Sequence, residues 1–170
     1  MTDVTLRPMA RALLHEYYRG FRMDSAIFAD MSRYREYVYS PEVVDAYFDR
    51  LAAAEDRVDF LVMLGERPIG EVALKRVDRA AGTCELAIHL QNDTVKNRGY
   101  GTRAEQLAVA CAFAEMGMKA VLADAVAKNL RSRRVLEKVG FRQVGEDGIF
   151  VCYRLERADW ERKNPIGGEV

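Results

Sequence analysis

Seven consecutive residues, Lys96-Asn97-Arg98-Gly99-Tyr100-Gly101-Thr102, stand directly before a long apolar helix pattern. A glycine-rich turn that opens a helix presents backbone N–H groups with no internal partner, and the helix dipole favours negative charge there. The chemistry it suits is capture of a phosphate or diphosphate. Gly99 and Gly101 would let the backbone approach the anion, with the amides from about Arg98 to Thr102 turned to its oxygens. Lys96 can serve a phosphate as a point charge. The turn is not a P-loop, because no lysine precedes Thr102. It is not a Rossmann turn either, because no acidic ribose ligand follows at the usual strand end. A second stretch, Asn129 to Phe141, lies one strand and one helix further on. It opens on a capping asparagine and closes on Gly140-Phe141, which suits a left-handed helix end with an apolar contact.

Composition narrows the setting. The chain has 170 residues, with 26 Lys and Arg balanced by 26 Asp and Glu. That length fits one domain with a real core and is short for two. Balanced charge gives no support for a nucleic-acid or anionic-membrane partner. Cys84, Cys111 and Cys152 sit far apart inside apolar runs, with neither metal-ligand spacing nor a disulfide framework. They read as buried thiols in a reducing compartment, and no metal site is expected. Met1 to Arg11 lacks an apolar signal core, and no apolar run is long enough to span a bilayer, so the expectation is a soluble cytoplasmic protein.

The elements that must position these residues follow from periodicity. The pattern predicts a strand at Val4–Arg7, a helix from Arg11 to about Arg19, and a short helix plus loop within Met23–Tyr39. Ser40 caps a helix with Pro41 in its first turn, running to about Ala54. Strands at Val58–Leu64, Ile69–Val77 and Cys84–Leu90 form an antiparallel meander joined by turns at 65–68 and 78–83. A buried helix spans Gly101–Met116. A strand at Ala120–Val126, a helix at Asn129–Val139 and a hairpin of about Arg142–Glu146 with Ile149–Glu156 complete the chain. The expected fold class is α+β: a single domain with a central mixed, mostly antiparallel sheet and helices on both faces.

Lys96 to Gly101 resembles the [Gln/Arg]-x-x-Gly-x-[Gly/Ala] motif of the GNAT superfamily of acetyl-CoA-dependent N-acetyltransferases. Lysine stands in the usual Gln/Arg place. Asn129-Leu130-Arg131-Ser132 through Gly140-Phe141 resembles that family's second motif, Asn-x-x-[Ala/Ser] ending in Gly-Phe, and is closest in flavour to the branch that acetylates ribosomal-protein N-termini. The likeness spans roughly Val58 to Leu155. It implies that the strand ending near Leu90 splays from Ala120–Val126, with the pantetheine arm of acetyl-CoA in the gap and Asn129 facing it. It assigns Leu90, Lys96, Asn97, Arg98, Gly99, Tyr100, Gly101, Thr102, Asn129 and Arg134 to the carrier. Residues 58–157 then form the cofactor-binding core and residues 1–56 the acceptor side, and a homodimer is a family-level expectation.

Acyl transfer to an amine needs a base, because free alkyl amines are mostly protonated at neutral pH. It also needs a donor for the carbonyl and a proton for the departing thiolate. Glu85 is the first candidate base: the histone-acetylating branch has its glutamate at matching spacing, 11 positions before Lys96. Strand alternation puts Glu85, Ala87 and His89 on one face. His89 could share the wall, and Glu71 is a weaker third candidate. The family often places a tyrosine acid seven positions after the asparagine, where this chain has Leu136. Ser132 is the substitute, with Tyr153 behind it. The plainer alternatives are a solvated strand glutamate, a structural histidine and an ordinary first-turn serine. Direct transfer in a ternary complex fits the apolar setting of the cysteines.

Tyr17, Tyr18, Phe21, Arg22, Phe28, Tyr34, Tyr37 and Tyr39 make an aromatic-rich acceptor side. Most of these residues could equally fill a core or lid. No acidic run marks a polyamine site. A protein N-terminus, a small amine, an amino acid or an antibiotic would serve as acceptor. The competing class is a non-catalytic acyl-CoA-binding module, favoured by Leu136 and opposed by Glu85 and Ser132.

Overall fold

The computed structural model describes residues 3–165. Its strands are β1 (Val4–Pro8), β2 (Val58–Leu64), β3 (Arg67–Asp78), β4 (Thr83–Leu90), β5 (Ala120–Val126), β6 (Arg142–Glu146) and β7 (Phe150–Glu156). Its helices are α1 (Arg11–Arg19), α2 (Pro41–Ala53), α3 (Tyr100–Ala110), α4 (Leu130–Val139) and α5 (Arg157–Lys163). The strands form one sheet in the order β1-β2-β3-β4-β5-β7-β6. Every pairing is antiparallel except β4 with β5. A sheet with one parallel junction and helices on both faces is the expected α+β architecture. Among the described residues no helix is long and apolar enough to cross a membrane.

Strand alternation splits the core into two layers. On β2, Leu61 and Met63 pack with Leu14 and Tyr17 of α1 and Val44 of α2. Val62 between them faces the other layer, with Ala104, Ala108 and Val109 of α3 and Leu136 of α4. Phe113 is fully buried in that second layer, where a side chain of its size contributes about 2–3 kcal/mol.

Local chemistry sets the element ends. Ser40 accepts from the Val43 N–H at the start of α2. Gly140 ends α4 at φ 117°, and Phe141 N–H returns to the Leu136 carbonyl at 3.0 Å, closing the Schellman pattern expected there. β3 begins at Arg67, earlier than Ile69, because Pro68 falls at a bulge opposite Met63, where its missing N–H breaks no ladder. α3 stops at Ala110 and continues as a π turn, with Met116 N–H bonded to the Cys111 carbonyl at 3.0 Å.

Two regions differ further from the sequence pattern. Within Met23–Tyr39 there are only two single 3₁₀ turns, Ser25–Ile27 and Met31–Arg33, each started by an aspartate side chain accepting a backbone N–H. α5 was not expected. It is mostly charged, and its apolar anchor is Trp160, stacked 5.3 Å from Phe113.

Candidate functional site

β4 pairs with β5 only at Thr83–Ala120, Cys84–Val121 and Glu85–Leu122. β5 runs on beside β7 to Val126, while Leu86–Leu90 has no partner on that side. A cavity of about 370 Å³ lies at this parting, walled by the end of β4, α3, the start of α4 and the segment after α1.

One half of the cavity is built around the mouth of α3. Gly99 stands before the helix at φ 81°, a backbone region that only glycine adopts freely, and no side chain caps the helix. The first bond into it is Arg103 N–H to the Gly99 carbonyl at 3.1 Å. Among the described residues, the amides of Tyr100, Gly101 and Thr102 have no protein acceptor. A Cβ on Gly101 would touch only Leu90 Cδ1, at 3.8 Å, so any larger side chain there would grow into the cavity. Leu90, Asn129 and Ser132 line the same half. Asn129 Oδ1 caps α4 by accepting from Ser132 N–H at 3.3 Å, which leaves its amide donors for a ligand.

Three residues assigned to the carrier sit elsewhere or are otherwise engaged. Lys96 lines the cavity but is buried, with Nζ 3.0 Å from Asp24 and 3.1 Å from Asp93. It is neutralised within the fold and ties the segment after α1 to the turn before α3. Asp24 also meets Arg131 at 3.3 Å. Burial alone would raise the Asp24 carboxyl, but the Ala26 N–H, Lys96 and Arg131 outweigh it and hold it below the usual range. Arg98 turns back to the Thr94 carbonyl at 2.8 Å, and Arg134 is exposed outside the cavity.

The other half is aromatic. Phe21 lies 5.4 Å from Tyr18, 5.0 Å from Tyr37 and 5.8 Å from His89, ring centre to ring centre, and all four line the cavity with Arg22. Tyr17 is fully buried beneath them, Phe28 pairs with Tyr34, and Tyr39 packs on His15. Most of the aromatic cluster is therefore packing, and three of its rings, Tyr18, Phe21 and Tyr37, line the cavity.

Cross-strand register brings the polar centre together. Glu71 on β3 stands opposite His89 on β4, with Oε2 3.6 Å from His89 Nε2. Glu71 is 4 % exposed and accepts hydrogen bonds from Tyr18 at 2.5 Å and Tyr47 at 3.0 Å. Burial first, then the Glu71 charge, pushes both hydroxyls well above the ordinary tyrosine range, so they remain donors. The Tyr17 hydroxyl is 3.1 Å from His89 Nδ1 and 3.4 Å from the His89 carbonyl. When it donates to the carbonyl it accepts from Nδ1–H, which leaves the Nε2 lone pair to take a proton.

Glu85 is on the same strand face as His89, as alternation requires, but not at the cavity. It is held by Lys75 at 3.6 Å and Arg76 at 3.1 Å, at the last position where β4 and β5 still pair. Tyr153 is buried against Arg133 and Glu137, and Leu136 is buried in the core. Ser132 is the hydroxyl among the acid candidates that reaches the cavity. Cys84 is buried as expected, whereas Cys111 and Cys152 are half-buried. Burial pushes the Cys84 and Cys111 thiols up to about 11, and no cysteine lines the cavity.

A further cavity residue, Glu105, belongs to neither sequence motif. Glu105 on α3 is 2 % exposed, and its Oε2 has no hydrogen-bond partner, alone in this among buried side-chain oxygens and nitrogens of the described residues. Burial pushes its carboxyl up to about 8. An unmet buried polar atom costs about 1–3 kcal/mol. Its signal was available: the polar residue stands between Ala104 and Ala108, one turn past Gly101.

A family model for the acetyltransferase (GNAT) domain matches residues 3–142. No curated protein matches the chain significantly. Among solved structures, the spermidine N-acetyltransferase from Vibrio cholerae in complex with CoA and spermine superposes with a TM-score of 0.74 at 15 % identity, over 93 % of this chain and 98 % of that one. Aminoglycoside acetyltransferase AAC(6')-Ib in complex with coenzyme A gives 0.74 at 21 % identity, over 95 % and 99 %. At these identities the likeness is one of fold.

Proposed function

The chain belongs to the acetyltransferase (GNAT) family, and from its cavity we propose that it moves an acetyl group from acetyl-CoA to an amine of a small molecule or a protein N-terminus. The supporting observation is one of connection. Gly101, at the uncapped mouth of α3, and His89, backed by the buried Glu71, line the same cavity.

The residues present fit the carrier. The amides of Tyr100, Gly101 and Thr102 offer donors to a diphosphate, Gly101 leaves the entry clear, and Leu90, Asn129 and Ser132 line a path for the arm. Acetyl-CoA brings an activated thioester. The protein's part is to remove a proton from the acceptor amine and to return one to sulfur. His89 Nε2 takes the first, and the imidazolium is stabilised by the Glu71 carboxylate beside it. Tyr18 and Tyr47 hold that carboxylate in place, and Tyr17 holds the ring. The Ser132 hydroxyl supplies the second proton. The high thiol values of Cys84 and Cys111 favour direct transfer over a covalent enzyme.

The acceptor space carries Arg22 and Arg131 beside Tyr18, Phe21 and Tyr37, with Asp24 already paired to Lys96. That lining favours a single amine on an apolar or aromatic body over a polycation. The test is coenzyme A release with a panel of arylalkylamines, amino acids, peptides with free N-termini, spermidine and an aminoglycoside. Turnover on the first three groups is expected. Binding of acetyl-CoA without turnover on any acceptor would favour the non-catalytic acyl-CoA-binding module.

A further inference from the structure

Glu105 and Gly101 are four residues apart on α3, so they share one helix face, and both line the cavity. Glu105 lies about 7.5 Å along the helix from its first residue, Tyr100, at a rise of about 1.5 Å per residue. It is therefore one turn deeper than the open amides, on the side where a carrier's arm must pass. Its neighbours on the helix, Ala104, Ala108 and Val109, are fully buried apolar core. Core packing alone would be served by leucine, yet this position carries a buried carboxyl whose Oε2 has no hydrogen-bond partner in the protein.

We infer that Glu105 is a ligand-recognition residue that hydrogen-bonds an amide in the pantetheine arm of the acyl carrier. The inference rests on the acetyl-CoA reading of this cavity. Two amides interrupt that arm, each offering a carbonyl acceptor beside an N–H donor. A carboxylic acid can meet either side of such a group, donating its O–H to the carbonyl or accepting from the N–H with its own carbonyl. Burial keeps the carboxyl in that uncharged form at neutral pH. Glutamine would offer the same pair of functions, while leucine would offer neither.

The experiment is calorimetric titration of the wild type, Glu105→Gln and Glu105→Leu with coenzyme A, and separately with ADP, which lacks the arm. Glu105→Leu is expected to weaken coenzyme A roughly tenfold and leave ADP unchanged, as loss of one or two neutral hydrogen bonds would. Glu105→Gln is expected to stay within about threefold of wild type for both. The inference is overturned if Glu105→Leu binds coenzyme A as wild type does, if it weakens both probes equally, or if glutamine loses as much as leucine. Failure of the wild type itself to bind coenzyme A would overturn the acetyl-CoA reading, and this inference with it.

Discussion

Replacing Glu105 with glutamine separates one buried carboxyl from the rest of the titration curve. Burial raises this group from 4.5 to about 8 in the folded chain, while the unfolded chain titrates near the lower value. Between the two, the folded protein holds a proton that the unfolded chain has released, so stability falls as pH rises. The slope is about 1.4 kcal/mol per pH unit at its steepest, and from about pH 5.5 to 7.5 this group alone removes about 2–3 kcal/mol. Glutamine keeps the size and the hydrogen-bonding functions but has no proton to lose. The variant should therefore gain on the wild type by about 2–3 kcal/mol across that interval, or about 5–10 °C in Tm for a chain of this size. Denaturant unfolding of both proteins at about pH 5.5, 6.5 and 7.5 reads this directly, because titrations shared by the two cancel in the difference. A wild-type-minus-variant difference that stays constant with pH would refute the reasoning.

Gly101→Val should leave the fold intact, since a Cβ there meets only Leu90 Cδ1 at 3.8 Å, but weaken coenzyme A by about 100-fold or more in calorimetry by blocking the arm's entry. Wild-type affinity would contradict that placement. His89→Gln should lower kcat by about 10²–10³ with coenzyme A affinity unchanged, whereas Glu85→Gln should stay within about twofold. The reverse order would move the base from the Glu71–His89 pair to Glu85. Lys96→Met strips Asp24 and Asp93 of a buried partner and should cost about 1–3 kcal/mol in denaturant unfolding, less than a fully buried pair because Asp24 is partly exposed. An unchanged unfolding midpoint would show that the pair does not anchor the segment after α1. Stability held by Asp24 is present above the ordinary aspartate range and is lost as pH falls through its lowered value.

The parts of this molecule legible in its sequence are those fixed by local chemistry. The Gly99 turn, the Asn129 cap and the Gly140 stop each need a particular residue type at a particular backbone conformation, and all three stand where the pattern put them. Alternation also set Glu85 and His89 on one face correctly. It could not say which of them meets a neighbouring carboxylate. That depends on the register of β3 against β4, which shifts between Lys75 and Asp78 at a bulge, with Arg76 at φ 49°. The register puts Glu71 opposite His89 and Lys75 opposite Glu85, and so gives one glutamate the cavity histidine and the other a salt bridge. The motif presents Lys96 as a phosphate ligand for a similar reason. Of its two partners Asp93 is local but exposed, while Asp24 is 72 residues away in a segment without periodicity, and no local pattern forecasts a pairing at that separation. α5 has the period of a helix only weakly, since one tryptophan anchors it.

The central claim is that the open amides at the mouth of α3 and the gap between β4 and β5 hold coenzyme A. Crystals grown with coenzyme A test it most directly. The account predicts diphosphate density within hydrogen-bond distance of the Tyr100, Gly101 and Thr102 amides, with the arm running past Leu90 toward His89. Coenzyme A bound elsewhere on the protein, with these amides still facing solvent, would contradict it.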